Sequence, residues 1–538
     1  MGWFFVCLRL TAGLAKDRQK TAFLVQKSDF LYMEKVFTIA TLGLNGVLVE
    51  VETNLSRHLP KIIVVGLPDA SVQEAKERVW AAIENSGVQF PRQKVVINLA
   101  PAQVRKEGGG YDLPMAVSVL QRIGAIKLPK DKVAFVGELS LLGELKAVPG
   151  ILVIVAALKE QGFTKVFVPS ANSKEAGVVE GIEIYSIDNL KQLIDYFCNR
   201  ADIKAIESTK FVPRVSKSAV DFQDVKGQEQ VKRVLEISAA GGHNILLVGP
   251  PGAGKTLLAK SFLSILPDLS LTESLEVSKI HSLAGYLSEE NCLVDQRIMR
   301  SPHHSASVSA IVGGGSWPRP GEISLAHRNI LFLDEILEFP RAVLESLRQP
   351  LEDKKITVSR VKGSLDFPAN FIMLATANPC PCGYLSDSSK ECKCSAMDVR
   401  RYQKRLSGPL LDRIDLHVSV KRVGSKSLAK SEDSTEKSIS IKKRVEVARG
   451  IQIKKFQEYN FDLNADIEPK FVKKFCNISD SSQKILETAV DRLQLSARAY
   501  FKILKVARTI ADLSNSQSIE ESHILEALQY RDKIFGEN

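Results

Sequence analysis

Long apolar runs are scarce in this chain of 538 residues. The longest, Ala147–Leu158, has 12 residues and contains Pro149 and Gly150, whereas a helix crossing a bilayer needs about 20. No membrane partner is therefore expected. The opening MGWFFVCLRL makes a poor leader: its apolar core is short, Arg9 interrupts it, and no small-residue cleavage site follows. Residues 1–32 read as an extension, with Met33-Glu34-Lys35 as the natural beginning of the folded body. Cysteine is also sparse. Of 8 in all, Cys7, Cys198, Cys292 and Cys476 are scattered, while Cys380, Cys382, Cys392 and Cys394 are bunched. That usage fits a cytoplasmic chain, and it favours metal over disulfide at the bunch. Neither sign of charge dominates: 73 Lys+Arg stand against 62 Asp+Glu, a formal +11. The balance is compatible with a polyanionic partner without proving one. Hydrophobic residues at 44% allow proper cores, in about three domains.

What is present centres on Asn244–Thr256, NILLVGPPGAGKT. The apolar run Ile245–Val248 predicts a buried strand, followed by a loop and a helix over Thr256–Leu263. The loop, Gly249-Pro250-Pro251-Gly252-Ala253-Gly254-Lys255-Thr256, fits G-x-x-x-x-G-K-[ST]. Glycines let successive N–H groups turn inward around a phosphate, and the helix adds its positive end. Lys255 is placed to reach the β- and γ-phosphates of ATP, and Thr256 to ligate Mg²⁺. Further on, Asn329–Ile336 reads NILFLDEI, an apolar strand ending in two carboxylates. In a doubly wound sheet such a strand delivers them to the carboxyl edge, where ligands sit. Asp334 is the candidate Mg²⁺ residue, and Glu335 the candidate for polarising the attacking water.

Upstream, Val36–Cys198 alternates strands (Val47–Glu52, Ile62–Val65, Lys94–Ala100, Val133–Glu138, Lys165–Pro169) with helices (Val72–Asn85, Leu113–Ile123, Leu152–Gln161). Here GELSLLGELKAVPGI followed by KVFVPSANSKEA resembles the proteolytic domain of Lon-type proteases. Those enzymes use a Ser nucleophile and a Lys base. The matching positions hold Tyr111, Asp112 and Leu152, so a fold without acyl chemistry is expected.

The stretches VGLPDASVQEAKERV, NLAPAQVRKEGG, DVKGQEQVKRVLEISAAGGHN, SPHHSAS, PRPGEISLAH and NPCPCG resemble the magnesium-chelatase-like AAA+ ATPases of the ComM/YifB type. The match runs from about Met33 to Arg531. The resemblance implies an α/β chain: a Lon-protease-like α/β domain over 33–200, a linker over 201–220, an AAA+ P-loop core with a doubly wound parallel sheet over 221–420, and an insert with a C-terminal helical lid over 421–538. It implies that Asn378, ending the strand Phe371–Ala377, helps position the water, or alternatively caps the turn before Pro379. It implies that Arg413 reaches into a neighbouring subunit's ATP site, the alternative being a salt bridge to Asp412 or Asp415. Arg498 resembles a second sensor from the lid, or is a surface Arg. The Gly-rich Arg297–His327 stretch corresponds to an insertion facing the ring's pore. Its neighbours His303 and His304 point apart in either regular structure, which disfavours a shared metal.

Lys354–Phe367 predicts a β-hairpin with its turn at Val361-Lys362-Gly363. The family resemblance implies that Lys354, Lys355, Arg360 and Lys362 line a ring's channel for DNA phosphates, the alternative being an ordinary solvated face. Cys380, Cys382, Cys392 and Cys394, as C-x-C-x₉-C-x-C, suit a structural Zn²⁺ site or remain free or redox-active thiols. The family reading is a homo-oligomeric DNA motor, expected to be a hexamer, acting on single-stranded or branched DNA in recombination. The rivals are a magnesium-chelatase motor subunit and a protein-remodelling ATPase.

Overall fold

The structure, a computed structural model, describes residues 35–129, 131–209, 211–212, 220–315, 318–360, 363–385, 387, 390–423, 436–459, 461–493 and 495–531. The expected extension over 1–32, linker residues 210 and 213–219, Lys362 and residues 424–435 of the expected insert lie outside them. The chain divides into two compact units, the first ending at Thr209.

The first unit is built on a seven-stranded sheet in the order Lys61–Val65, Lys94–Ala100, Asn45–Ser56, Val36–Leu42, Val133–Phe135, Lys165–Pro169, Glu183–Ile187. It is mixed: Asn45–Ser56 pairs antiparallel with Lys94–Ala100, while Lys165–Pro169 runs parallel to both neighbours. The period of two is plain on Lys165–Pro169. Phe167 enters one core with helices Ala70–Asn85 and Asp112–Arg122, and Val166 and Val168 enter another with helix Ile151–Glu160. Strand Val133–Phe135 stops short of the expected Glu138, because Glu138–Leu139 instead pairs with Leu145–Lys146.

The second unit carries a five-stranded sheet, Met299–Arg300, Ile330–Leu333, Ile372–Ala377, Ile245–Val248, Leu416–Ser419, in that order. Every pairing in it is parallel. A parallel sheet is covered on both faces, so its strands read as unbroken apolar runs. Ile245 and Leu247 enter one core, and Leu246 and Val248 the other. The first core also takes Val234 and Leu235 of helix Glu229–Gly241, Ile441 and Val445 of helix Ser438–Lys455, and Ile503 and Ala507 of helix Ala497–Leu513. The helical end of the chain thus shares one hydrophobic core with the sheet. Among the described residues, no helix is long and apolar enough to cross a membrane.

A buried ion pair fastens helix Ala497–Leu513 to the sheet. Lys502 Nζ lies 2.6 Å from Asp415 Oδ1, and Asp415 Oδ2 accepts the Asn244 N–H at 2.9 Å. Burial alone would raise the Asp415 carboxyl, but Lys502, His243 and the Asn244 N–H outweigh it and hold it well below the usual carboxylate range. Burial lowers Lys502 to about 8. Removing one partner strands the other charge, a loss of about 3–5 kcal/mol. Asp415→Asn is therefore expected to lower the urea midpoint of the second unit at pH 7. The folded value lies below the unfolded value of about 3.9. The contribution is therefore complete above that pH and fades as pH falls through the folded value, so wild type and variant converge in acid. An unchanged midpoint at pH 7 contradicts this account.

Candidate nucleotide site and neighbouring clusters

Strand Ile245–Val248 lies between Ile372–Ala377 and Leu416–Ser419, with Val248 opposite Ala377 on one side and Ser419 on the other. The phosphate loop leaves from this crowded edge. A Cβ on Gly249 would run into the Val420 carbonyl oxygen, so the chain passes there only as glycine. Gly252 and Gly254 have φ of 75° and 86°, the left-handed region that a side chain resists. Helix Lys255–Phe262 begins directly after them, one residue earlier than its spacing predicts.

Lys255 is buried. Its ammonium donates to the Gly249 carbonyl at 2.6 Å, the Pro250 carbonyl at 3.1 Å and Asn378 Oδ1 at 3.0 Å. Burial lowers its pKa from the ordinary value, and the Asp334 and Glu335 carboxylates oppose that shift. Thr256 Oγ1 donates to Asp334 Oδ2 at 3.3 Å. Lys255, Thr256, Asp334 and Asn378 thus converge on one sheet edge. The Thr256 hydroxyl and the Asp334 carboxylate form the oxygen pair that a hard divalent cation such as Mg²⁺ takes in a phosphate-loop site. Glu335, beside them, is exposed, with φ of 52°. Its side chain is therefore available to solvent at the rim of the site.

Thr376 also belongs to this site. Its hydroxyl donates to Asp334 Oδ1 at 2.5 Å and accepts the Glu335 N–H at 2.9 Å. One fully buried side chain thereby fixes both carboxylate residues. The signal was a lone hydroxyl in the apolar run FIMLATAN.

The two candidate arginines are placed elsewhere. Arg413 pairs with Glu352 and donates to the Pro409 carbonyl at 2.7 Å. Arg498 reaches the same Glu352 at 3.0 Å. The pairing of Arg413 with Asp412 or Asp415 that the sequence allowed is not formed, because Asp415 is taken by Lys502. Burial opposes ionisation of Glu352, yet the two guanidiniums hold it below its ordinary pKa.

The hairpin forms from Lys355–Arg360 and Gly363–Pro368, with Arg360 opposite Gly363. Gly363 is therefore a strand residue rather than part of the expected turn. Ile356, Val358 and Phe367 are buried, leaving the other face to solvent. Lys354 lies outside the hairpin and pairs with Asp466 at 3.3 Å, and Lys355 pairs with Asp366 at 2.9 Å. The side chains of Arg360 and Lys362 lie outside the described residues.

A second basic feature was not legible in the sequence. A cleft of about 960 Å³ is lined by Arg341, Arg400, Arg401, Lys404 and Arg405 around Phe339 and Met397. Arg405 pairs there with Glu338 at 3.1 Å. Beside it, the bunched cysteines converge: Cys380, Cys382, Cys392 and Cys394 place their sulfurs within 4.8 Å of one another. The Cys380–Cys382 separation is 3.4 Å, and Cys392 lies 3.6 Å from each of them. A tetrahedron with ~2.3 Å metal–sulfur bonds has edges of about 3.8 Å, so these thiols fit Zn²⁺. Backbone N–H donation, led by Tyr384, lowers Cys382 to about 6, while burial raises Cys380 to about 12.

In the first unit, Asp112 is buried and held by Arg78 at 2.7 and 3.1 Å and by the Leu139 N–H at 3.1 Å. Burial raises it to about 6 against these contacts. Tyr111 and Leu152 are buried too. The three positions matched to protease chemistry therefore pack the core.

Three family models match the chain: the ChlI subunit of Mg-chelatase over residues 51–172, magnesium chelatase subunit ChlI over 221–428, and the ChlI C-terminal region over 435–531. YifB of Escherichia coli (strain K12) is 42% identical over 499 residues, 92% of this chain and 96% of its own length. Competence protein ComM of Haemophilus influenzae is 39% identical over 504 residues, covering 92% and 97%. Archaeal Lon protease of Thermococcus kodakarensis is 29% identical over 145 residues, 26% of this chain and 23% of its own. With Asp112 tied to Arg78 and Leu152 in place of a base, a serine-directed fluorophosphonate is expected to leave the first unit unlabelled. Labelling within 35–209 contradicts that.

Proposed function

Because the chain belongs to the magnesium-chelatase-like AAA+ family of YifB and ComM, we propose that it is a ring-forming ATPase coupling hydrolysis to movement of DNA. The observation that carries the ATPase reading is the convergence of Lys255, Thr256, Asp334 and Asn378 on one sheet edge. The DNA reading draws on the name of the relative ComM, a competence protein, and on the basic cleft around Arg400, Arg401 and Lys404. Its setting is recombination or natural transformation, with single-stranded or branched DNA as the partner and a homo-oligomer, by family expectation a hexamer, as the working form.

In this reading the N–H groups of Gly252–Thr256 cradle the β-phosphate. Lys255 exchanges its loop carbonyls for phosphate oxygens while keeping Asn378. Thr256 and Asp334 hold Mg²⁺, which when bound neutralises charge shared between the β- and γ-phosphates. Thr376 keeps the Asp334 carboxylate turned toward Thr256. Glu335 accepts the proton of the attacking water, and Asn378 orients that water. Arg413 of a neighbouring copy neutralises charge developing on the γ-phosphoryl, an effect of about 10³–10⁵-fold in related systems. Arg498 serves as the lid's sensor. Lys354, Lys355, Arg360 and Lys362 belong to the same proposal as channel cations. Zn²⁺ on Cys380, Cys382, Cys392 and Cys394 is proposed as a structural ion, since four protein ligands leave no open position.

A second reading, a magnesium-chelatase motor subunit, is favoured by the ChlI models matching all three segments. ATP turnover measured with forked and four-way DNA, and with a porphyrin-chelatase partner, separates the two. DNA is expected to bind and to stimulate turnover, and Lys255→Ala to lose at least about 10²-fold in rate. DNA that neither binds nor stimulates contradicts the motor reading, and stimulation by the chelatase partner favours the second. Arg413→Ala and Lys255→Ala, each inactive alone, are expected to regain activity when mixed, because one supplies the intact loop and the other the arginine. Full turnover by Arg413→Ala alone contradicts the shared site.

A further inference from the structure

The four-cysteine cluster is fastened to the phosphate loop at several points. Asn378, which accepts the Lys255 ammonium at 3.0 Å, stands two residues before Cys380, so the first metal-binding residue and the lysine's partner share one short segment. Gly383, next to Cys382, lies directly on the phosphate loop: a Cβ there would sit 2.5 Å from Pro251 Cδ. Arg422 donates to the Pro251 carbonyl at 3.2 Å. The same guanidinium pairs with Asp387 at 3.1 Å and lies 5.8 Å from the centre of the Tyr384 ring. Tyr384 and Asp387 both belong to the loop between Cys382 and Cys392. On the far side, Cys394 precedes Ser395, the cap of helix Ala396–Gln403, whose Arg400 and Arg401 line the basic cleft.

We propose that Zn²⁺ on Cys380, Cys382, Cys392 and Cys394 clamps the phosphate loop, so that metal loading sets the affinity for nucleotide. The inference rests on the zinc reading given above. The physical reason is loop closure. Nine residues separate Cys382 from Cys392, and an ion bonded to both ends removes most of that segment's freedom. Gly383, Tyr384 and Asp387 are then held where they meet Pro251 and Arg422. Without the ion the segment regains its freedom and the loop loses those supports. Four thiolates suit a soft-tolerant d¹⁰ ion that accepts tetrahedral geometry without redox change. The sulfur separations of 3.4 to 3.6 Å match that geometry and are far outside the ~2.05 Å of a disulfide.

The test uses the full chain purified without chelators. Elemental analysis is expected to find a zinc ion per chain, and Cys392→Ser/Cys394→Ser to lose it. Titration with a fluorescent ATP analogue is expected to show nucleotide binding about tenfold weaker in the zinc-free protein. Arg422→Ala should weaken binding in the same sense while keeping its zinc, which separates the clamp from any folding defect of the cysteine variant. Iron in place of zinc, or four thiols titrating freely with no metal, overturns the zinc reading itself. Zinc present, with nucleotide affinity unchanged on metal removal by a mercurial, overturns the clamp and leaves the zinc reading standing.

Discussion

The candidate site is organised by the carboxyl ends of neighbouring parallel strands in fixed register, with Lys255 and Thr256 following on the helix that the loop opens. Val248 stands opposite Ala377, and Leu333 opposite Ala375. The next residues along, Gly249, Asn378, Asp334 and Thr376, are therefore set side by side before any side chain chooses a rotamer. The Gly249 N–H donates to the Ala377 carbonyl at 3.1 Å, carrying the ladder into the first residue of the phosphate loop. Slippage of one strand would send Asp334 and Thr376 to different faces. Because the strands are buried on both faces, each such slip would also misplace a column of Ile, Leu and Val between the two cores. The apolar packing that stabilises the sheet is thus the same constraint that positions the carboxylates.

The helical end of the chain is tied to that sheet by both packing and charge. Ile503 and Ala507 sit in the core beneath the strands, Lys502 meets Asp415 at the start of strand Leu416–Ser419, and His243 meets Thr509 at 2.8 Å. Arg498, at the N-terminal end of the same helix, meets Arg413 at Glu352. A rearrangement that frees Arg413 for a neighbouring copy leaves Arg498 as the remaining arginine partner of Glu352. In the proposed ring, the lid and the interface arginine are therefore linked through one exposed carboxylate.

What could be read in advance follows from this physics. The phosphate loop, the strand ending at Asp334 and the hairpin rest on local rules of glycine conformation, strand burial and alternation, and each was legible from a few consecutive residues. Thr376 was half legible, as a hydroxyl out of place in an apolar strand. Glu352 carried no signal, since an acidic residue at a helix end is ordinary and its role comes from two arginines distant in sequence. The ion pair of Lys354 carried no signal for the same reason: its partner Asp466 is remote in the chain. The basic cleft joins Arg341 with Arg400 and Lys404 across a fold that only the packed sheet defines. The cysteines were legible as a set, whereas their contact with Pro251 through Gly383 was not.

The account turns on that strand edge being a site of ATP hydrolysis, and Glu335→Gln tests it most directly. The substitution keeps the size of the side chain and leaves Lys255, Thr256, Thr376 and Asp334 in place. Equilibrium binding and single-turnover hydrolysis of ATP should be measured on the same protein. The account predicts nucleotide affinity close to wild type with hydrolysis slowed by about 10²–10³-fold. Hydrolysis at the wild-type rate in Glu335→Gln would contradict it.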